Sequence, residues 1–174
     1  MLRREKGFDY DPRSTDRILE IGPGPLPSYD YLSKFSSANI VFVDDRKLQF
    51  NLGNFPGATY QEISFLKFAA GYSDPKFDVV IASNLLLAPY DKELIEINPF
   101  IRGLVRVLNR GGLCVVESTY DAGTPAIGRI FKQEFDKSGL FDVELHIADG
   151  KNKHRFLHPN DADNGTFSLH LLLR

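Results

Sequence analysis

Short apolar runs alternate with stretches of helical character along most of this chain of 174 residues. Five such runs come before residue 118, and they begin at Arg17, Ile40, Ala58, Phe77 and Leu113. This alternation is typical of an α/β domain with a mostly parallel sheet, because parallel strands need crossover connections that are usually helices. The fourth run, from Phe77 to Ala82, is nearly all apolar, as expected for a strand that is covered on both faces.

Two helices are predicted in the second half of the chain. Apolar residues recur at steps of three and four at Leu94, Ile97, Ile101, Leu104 and Leu108. This spacing predicts one buried helix face, and Gly111-Gly112 is expected to end the helix. A second helix is expected to begin at Thr124 and Pro125 and to end at Gly139.

The pattern changes after residue 140. Apolar and polar residues alternate from Phe141 to Ile147 and again from Phe167 to Arg174. Such alternation predicts two half-buried strands that form an antiparallel pair at one side of the sheet. We therefore expect a single domain over residues 1–174, in which residues 1–16 form a short extension before the first strand.

Composition excludes several classes of protein. Lys and Arg total 21 and Asp and Glu total 23, so the net charge of −2 gives no broad attraction to nucleic acid or to an anionic membrane. The one cysteine, Cys114, can form neither an internal disulfide nor a metal site built from cysteines alone. No apolar stretch reaches the ~20 residues of a membrane helix, and the charged N-terminus has no secretory signal. These features predict a cytoplasmic protein with no metal site and no membrane partner.

The segment with the most chemical information runs from Glu20 to Pro25 and reads Glu-Ile-Gly-Pro-Gly-Pro. Glycines directly after a strand let a ligand approach the backbone, because no Cβ stands in the way. A dinucleotide-binding fingerprint would have a third glycine where this chain has Pro27. Glu20 would repel a pyrophosphate and favour a cationic ligand. The segment therefore argues against a nicotinamide-dependent oxidoreductase, which we keep as a third hypothesis.

At these residues the sequence resembles the class I S-adenosylmethionine-dependent methyltransferases. Glu20–Gly24 resembles their E/D-x-G-x-G motif, and Val43-Asp44 resembles the acid that ends their second strand. Phe77–Asn84 is similar to their fourth-strand motif, and Leu108–Leu113 resembles the turn before their fifth strand. The resemblance covers roughly residues 17–174. It implies a doubly wound, mostly parallel seven-stranded sheet in the order 3-2-1-4-5-7-6 with a C-terminal antiparallel hairpin, and it implies S-adenosylmethionine as the cofactor.

The resemblance also implies a set of cofactor-binding residues, which come from the ends of the first four strands: Glu20, Gly22, Pro23, Gly24, Asp44, Asp45, Glu62, Ile63 and Asn84. Glu20 would bind the ammonium of the amino-acid end, directly or through water. Asp44 would accept hydrogen bonds from the ribose hydroxyls, with Asp45 as its competitor for that role. Glu62 and Ile63 would read the adenine, and Asn84 would meet the methionine end. For Asp45, Glu62 and Asn84, a solvated acid or a turn cap is the structural alternative.

The methyl acceptor is not identified by the sequence. Candidates on its side of the site are Tyr90, Tyr120 and Asp121, because ligands bind at the carboxyl ends of such strands. For each of them, an ordinary loop residue is the commoner interpretation. The basic residues between Lys151 and His158 are interpreted as a solvated loop balanced by nearby acids, so a small molecule is favoured over nucleic acid as acceptor.

The short N-terminal extension leaves no room for lid helices in front of the first strand. An open site would suit a large acceptor, or a lid supplied by a homodimer or another partner subunit, or a domain that binds cofactor without chemistry. The sequence thus predicts a methyltransferase acting on an unidentified acceptor. The alternative is a methyltransferase-like cofactor-binding or regulatory subunit with little activity on its own.

Overall fold

The computed structural model of the chain describes residues 13–25, 27–28, 32–33, 35–83, 97–118, 124–147 and 167–174. Within these ranges the strands are β1 (Ile18–Ile21), β2 (Ile40–Asp44), β3 (Thr59–Glu62), β4 (Phe77–Ser83), β5 (Leu108–Ser118), β6 (Phe141–Ile147) and β7 (Phe167–Leu173). The α-helices are α1 (Phe65–Gly71), α2 (Ile97–Val107) and α3 (Thr124–Ser138). None of these helices has the length and apolar character needed to cross a lipid bilayer.

One sheet contains all seven strands, in the order β3-β2-β1-β4-β5-β7-β6. The first five strands run parallel to their neighbours, and β7 runs antiparallel to both β5 and β6. The predicted α/β class, the doubly wound strand order and the C-terminal antiparallel hairpin are therefore confirmed. The extent of the domain over residues 1–174 stays a prediction.

One face of the sheet is apolar and is covered by α1, α2 and α3. Its central residues are fully buried: Leu19, Val80, Cys114, Val116 and Leu171. The aromatic rings of the three helices join them into one layer, since the Phe100 ring centroid lies 5.3 Å from that of Phe65 and 6.4 Å from that of Phe135. This packing provides most of the hydrophobic core, and it leaves the residues that alternate with it to form a second face.

The second face has two halves of different chemistry. On β2, β1 and β4 it is mainly apolar, and a separate cluster forms there: Ile18, Ile40, Phe42, Val79 and Ile81, packed with Leu32, Phe35 and Phe55. On β5, β7 and β6 the same face carries polar side chains, which we call the polar half-face: Glu117, Ser168, His170, Glu144 and His146. The strand ends of both halves meet at the carboxyl edge of the parallel sheet.

One sequence expectation was wrong in detail. Helix α2 ends at Val107, and Leu108 already begins β5, where it pairs with Phe77. Gly111 and Gly112 therefore lie inside a strand and do not end the helix. The register with β4 shifts at this point, and Gly111 takes a φ of 73°, which favours glycine. Sheet pairing of Leu108 thus overrides the helical spacing that the sequence suggested.

Candidate cofactor site

The turn after β1 is shaped by two glycines in the left-handed region. Gly22 has a φ of 66° and Gly24 a φ of 57°, values that L side chains adopt only with strain. The N–H of Gly22 donates to the carbonyl of Val43 at 2.8 Å, which fastens the turn to the end of β2. Pro23 and Gly24 are both buried. The backbone of this turn is therefore held in one conformation at the edge where β1 and β2 end.

Glu20 is fully buried on β1, with 0% of its surface exposed. Its Oε1 accepts two hydrogen bonds from Ser28, one from the backbone N–H and one from the hydroxyl, both at 2.9 Å. Its Oε2 is buried and has no hydrogen-bond partner among the residues that the structure describes. Burial raises the pKa of Glu20 to about 7, although the hydrogen bonds from Ser28 act in the opposite direction. The described residues thus satisfy one oxygen of this carboxylate and leave the other without a hydrogen bond.

Asp44 ends β2 and is 6% exposed. Its Oδ1 accepts from the backbone N–H and the Nε of Arg46, at 3.0 and 2.9 Å. Its Oδ2 accepts from Nη2 of Arg46 at 3.0 Å and from the N–H of Gly24 at 3.4 Å. Burial raises the pKa of Asp44, but the hydrogen bonds and charge of Arg46 and the Gly24 N–H outweigh it and hold the pKa below the usual value. Four donors use all of the roughly four lone-pair positions of this carboxylate.

Arg46 lies between Asp44, the glycine turn and Tyr60 of β3. Its side chain is 54% exposed, and its carbonyl accepts a hydrogen bond from the hydroxyl of Tyr60 on β3. A Cβ added to Gly24 would lie 3.7 Å from Nη2 of Arg46, so the guanidinium lies next to the glycine turn. The side chain therefore stands where a ligand of Asp44 would approach.

The other predicted residues lie at the edge of this site or outside the described residues. Asp45 and Glu62 are exposed, and Ile63 is half-buried, with its N–H donating to the carbonyl of Asp44 at 2.8 Å. Glu62 is in register with Asp44, so both acids end neighbouring strands. The following residues lie outside the described residues: Asn84, Tyr90, Tyr120, Asp121 and the basic loop of residues 151–158. The roles assigned to all of these residues stay predictions.

Glu117 was recognised in the sequence only as the last residue of an apolar run. In the structure it is 5% exposed, and it lies on the same face as Glu20, because Glu20 is in register with Ile81 and Ile81 with Val115. Burial and the negative charge of Glu20 raise the pKa of Glu117 to about 8. Its Oε1 is buried without a hydrogen-bond partner in the described part of the chain. The signal that points to it is the same as for Glu20: an acid that ends an otherwise apolar strand.

No set of three His, Cys, Asp or Glu side chains among the described residues is arranged to hold a metal ion. The described part of the candidate site therefore consists of two acids at the ends of β1 and β2, a glycine turn between them, and a third buried acid near the end of β5.

No protein-family model matches the sequence, and no curated protein matches it either. Solved structures do match its fold. The N-methyltransferase NodS from Bradyrhizobium japonicum WM9 is 14% identical, with 91% of this chain and 85% of that chain covered and a TM-score of 0.61. A TehB-like SAM-dependent methyltransferase from Corynebacterium glutamicum is also 14% identical, with coverage of 94% and 83% and a TM-score of 0.61.

A further similar structure is SMU.1697c from Streptococcus mutans, a putative methyltransferase in complex with SAH (S-adenosylhomocysteine). It is 14% identical, with 92% of this chain and 88% of that chain covered and a TM-score of 0.55. These similarities, together with the strand order and the antiparallel β7, show that this chain has the class I S-adenosylmethionine-dependent methyltransferase fold.

Proposed function

We propose that this protein binds S-adenosylmethionine and transfers its methyl group to an acceptor. The observation that carries the proposal is the pair of buried acids, Glu20 and Asp44, at the ends of adjacent strands on either side of a left-handed glycine turn. NodS, which has a similar fold, is known in a complex with SAH, as is SMU.1697c. When bound, the cofactor supplies a methyl group already activated on a sulfonium.

Glu20 fits the ammonium of the cofactor because one of its oxygens has no hydrogen bond from the described residues. Oε1 is used by Ser28, and Oε2 has no hydrogen-bond partner within the described ranges. A cation at Oε2 favours the ionised carboxylate, so binding lowers the pKa of Glu20 and releases a proton to solvent. The ammonium would then donate a charge-assisted hydrogen bond to Oε2 of Glu20.

Asp44 fits the ribose hydroxyls only after a rearrangement of Arg46. Its acceptor positions are filled by Arg46 and the N–H of Gly24. The Arg46 side chain is more than half exposed, so its guanidinium has room to swing into solvent and leave Asp44 to the ligand. Gly22, Pro23 and Gly24 would then form the backbone surface against which the cofactor lies.

Four further residues complete the proposed cofactor site. Ile63, at the end of β3, would pack on the adenine, and Glu62 would hydrogen-bond its edge. Asp45 stays the competitor of Asp44 for the ribose, and Asn84 is proposed for the methionine end. No observation on the described residues favours the regulatory-subunit alternative.

The remaining elements of the proposal concern the setting of the enzyme. We propose a cytoplasmic protein that acts on a small-molecule acceptor, with residues 1–174 as one domain. A homodimer or another partner subunit is proposed to supply a lid over the acceptor side of the site.

Isothermal titration of the purified chain with S-adenosylmethionine and with S-adenosylhomocysteine tests this function, with NAD as the control ligand. We expect micromolar binding of both sulfur compounds, and Asp44→Asn should weaken it at least tenfold, or roughly 1.4 kcal/mol, as lost hydrogen bonds to a charged group require. Asp142→Asn is the matched control, because Asp142 is also paired with an arginine, Arg174, but at the opposite edge of the sheet. Absence of binding by the wild-type chain, or tight binding of NAD alone, would refute the proposal.

A further inference from the structure

The polar half-face contains buried hydrogen-bonding atoms that the proposed cofactor site does not use. Glu117 is in register with Ser168 on β7, and Ser168 is in register with His146 on β6. The side chains of directly opposed residues on one face lie about 5 Å apart at Cβ, so these three form a continuous row. Ser168 is 1% exposed, and its Oγ has no hydrogen-bond partner among the described residues. Buried polar atoms in folded proteins are nearly always satisfied, so we interpret Glu117 Oε1 and Ser168 Oγ as atoms whose hydrogen bonding a ligand completes.

The row lies beside the proposed cofactor site. Val115, two residues before Glu117, is in register with Ile81, which is in register with Glu20. Glu117 is therefore displaced by two residues from Glu20 toward the carboxyl edge, one strand beyond β4, and its carboxylate is close enough to be affected by the charge of Glu20. The methyl acceptor has to stand next to the cofactor, so Glu117 is placed on the acceptor side.

The charged groups around Glu117 indicate the charge that an acceptor should carry. Two buried acids of like charge cannot both ionise without a compensating cation. The next row along the face holds His170 and Glu144, and the rings of His146 and His170 have centroids 4.7 Å apart. Glu144 lies 3.5 Å from His146, so the imidazoles have an acid of their own at the outer edge of the polar half-face. A carboxylate or phosphate on the acceptor would be repelled by Glu117 and Glu20, whereas an ammonium would compensate the charge of Glu117.

We propose that Glu117 and Ser168 bind the amino group of the methyl acceptor, which makes the acceptor an amine. This inference rests on the proposed function, because it assigns the second substrate of the same site. Glu117 Oε1 would accept a hydrogen bond from the nitrogen, and Ser168 Oγ would contact the same group from the neighbouring strand.

A proton transfer to Glu117 comes before the methyl transfer. The amine arrives as an ammonium, and its proton passes to the Glu117 carboxylate, which leaves a lone pair on nitrogen. That lone pair attacks the methyl carbon, the N–C bond forms, and the S–C bond breaks with its electron pair going to sulfur. The products are a methylated ammonium, neutral S-adenosylhomocysteine and protonated Glu117, which then loses its proton to solvent. The bound ammonium favours the ionised form of Glu117, which is the form that accepts the proton.

The first test follows the titration of Glu117 by NMR of the chain labelled with carbon-13 at the glutamate carboxyls. Comparison with Glu117→Gln identifies the Glu117 resonance, and methylammonium chloride and 2-phenylethylammonium chloride are the probes. We expect each amine to lower the titration midpoint of Glu117 by about one pH unit, equivalent to a tenfold preference of the cation for the ionised form. Glu134→Gln, which removes a half-buried acid of α3 paired with Lys137, is the matched control and should leave the response unchanged.

Two results overturn the proposal. One is a Glu117 midpoint that neither amine moves. The other is an equal shift with sodium chloride or 2-phenylethanol, which would show a salt or solvent effect. These results are independent of the calorimetry above, so failure of cofactor binding is distinguishable from failure of the amine site.

The second test measures release of S-adenosylhomocysteine with 2-phenylethylamine and with 2-phenylethanol as acceptors. We expect turnover of the amine only, and Glu117→Gln should lower kcat about 100-fold, the usual effect of losing a general base, without changing the Kd for S-adenosylhomocysteine. Turnover of the alcohol and not the amine would overturn the proposal. Where neither compound turns over, the NMR result decides.

Discussion

The buried acids on the two halves of the second sheet face differ in their hydrogen bonding and in the direction of their pKa shifts. At the end of β2, Asp44 is matched by four donors, and its pKa is held below the usual value in spite of burial. On β5, Glu117 keeps one oxygen without a hydrogen-bond partner in the described ranges, and its pKa is raised to about 8. Glu20 lies on β1, between the strands of Asp44 and Glu117, and only its Oε1 accepts hydrogen bonds, both from Ser28. The difference teaches that a ligand can bind Glu20 and Glu117 without displacing a donor of the described residues, whereas at Asp44 it has to displace the Arg46 side chain.

The largest expected effect is on the pH dependence of stability, which tests the contrast directly. The folded-state pKa values of Glu20 and Glu117 are raised from 4.5 to about 7 and about 8, so their contribution to stability is fully present below pH 4.5 and is lost as pH rises through these values. We expect the free energy of unfolding to fall by a few kcal/mol between pH 5 and pH 8 from this pair. Urea unfolding at several pH values measures it.

The Glu20→Gln/Glu117→Gln double variant should remove most of this slope and be more stable than the wild type at pH 8. Asp44→Asn supplies the opposite sign, because the pKa of Asp44 is lowered. Its contribution is present above the unfolded value of 3.8 and is lost as pH falls through the folded value. A slope that survives in the double variant would show that the raised pKa values belong to other groups.

An intermediate effect is expected at the glycine turn between Glu20 and Asp44. Gly24→Ala should cost about 1–2 kcal/mol of stability, because its φ of 57° is strained for any residue with a Cβ. Gly111→Ala is the matched control, since Gly111 has a φ of 73° and a Cβ there meets nothing within 4 Å. Thermal unfolding should report similar losses for both variants, and calorimetry should report weaker binding of S-adenosylmethionine for Gly24→Ala alone. Equal binding by the two variants would separate the turn from the site.

The smallest effect is expected when the Arg46 side chain is removed, because this side chain would compete with the ligand for Asp44. Arg46→Met removes the two side-chain donors to Asp44 and leaves the backbone N–H groups of residue 46 and Gly24 in place. We expect S-adenosylmethionine to bind about fivefold tighter, since an ion pair with a mostly exposed arginine contributes ~1 kcal/mol. The control is Lys47→Met, which removes a neighbouring exposed charge that makes no described contact with Asp44. Weaker binding by Arg46→Met would mean that the guanidinium contacts the ligand and does not compete with it.

The sequence was sufficient to predict the sheet and its edge. Apolar runs and the switch to period-2 alternation at Phe141 indicated seven strands, and the resemblance implied their order. Asp44 was expected at a strand end because it directly follows an apolar run, and Glu20 because it stands two positions before the first glycine of the turn. These features depend on residues that are close together in the chain, where patterning is informative.

Three features could not be predicted from the sequence, and each depends on contacts that patterning does not encode. The pairing of Arg46 with Asp44 is a choice of side-chain conformation at an exposed residue. The burial of Glu117 depends on Ser168, which is 51 positions further along the chain and reaches it only because β7 lies beside β5. The end of α2 at Val107 depends on the pairing of Leu108 with Phe77.

Strand β7 lies between β5 and β6 although it follows both in the chain. During synthesis β6 therefore leaves the ribosome before the strand through which it joins the sheet. Until β7 arrives, the backbone groups on one side of β5 are unpaired, and β5 carries the buried apolar residues Val115 and Val116. An apolar edge of this kind is a template for pairing with another chain. The strand that supplies Ser168 to the polar half-face thus also ends the interval in which a nascent chain is most open to aggregation.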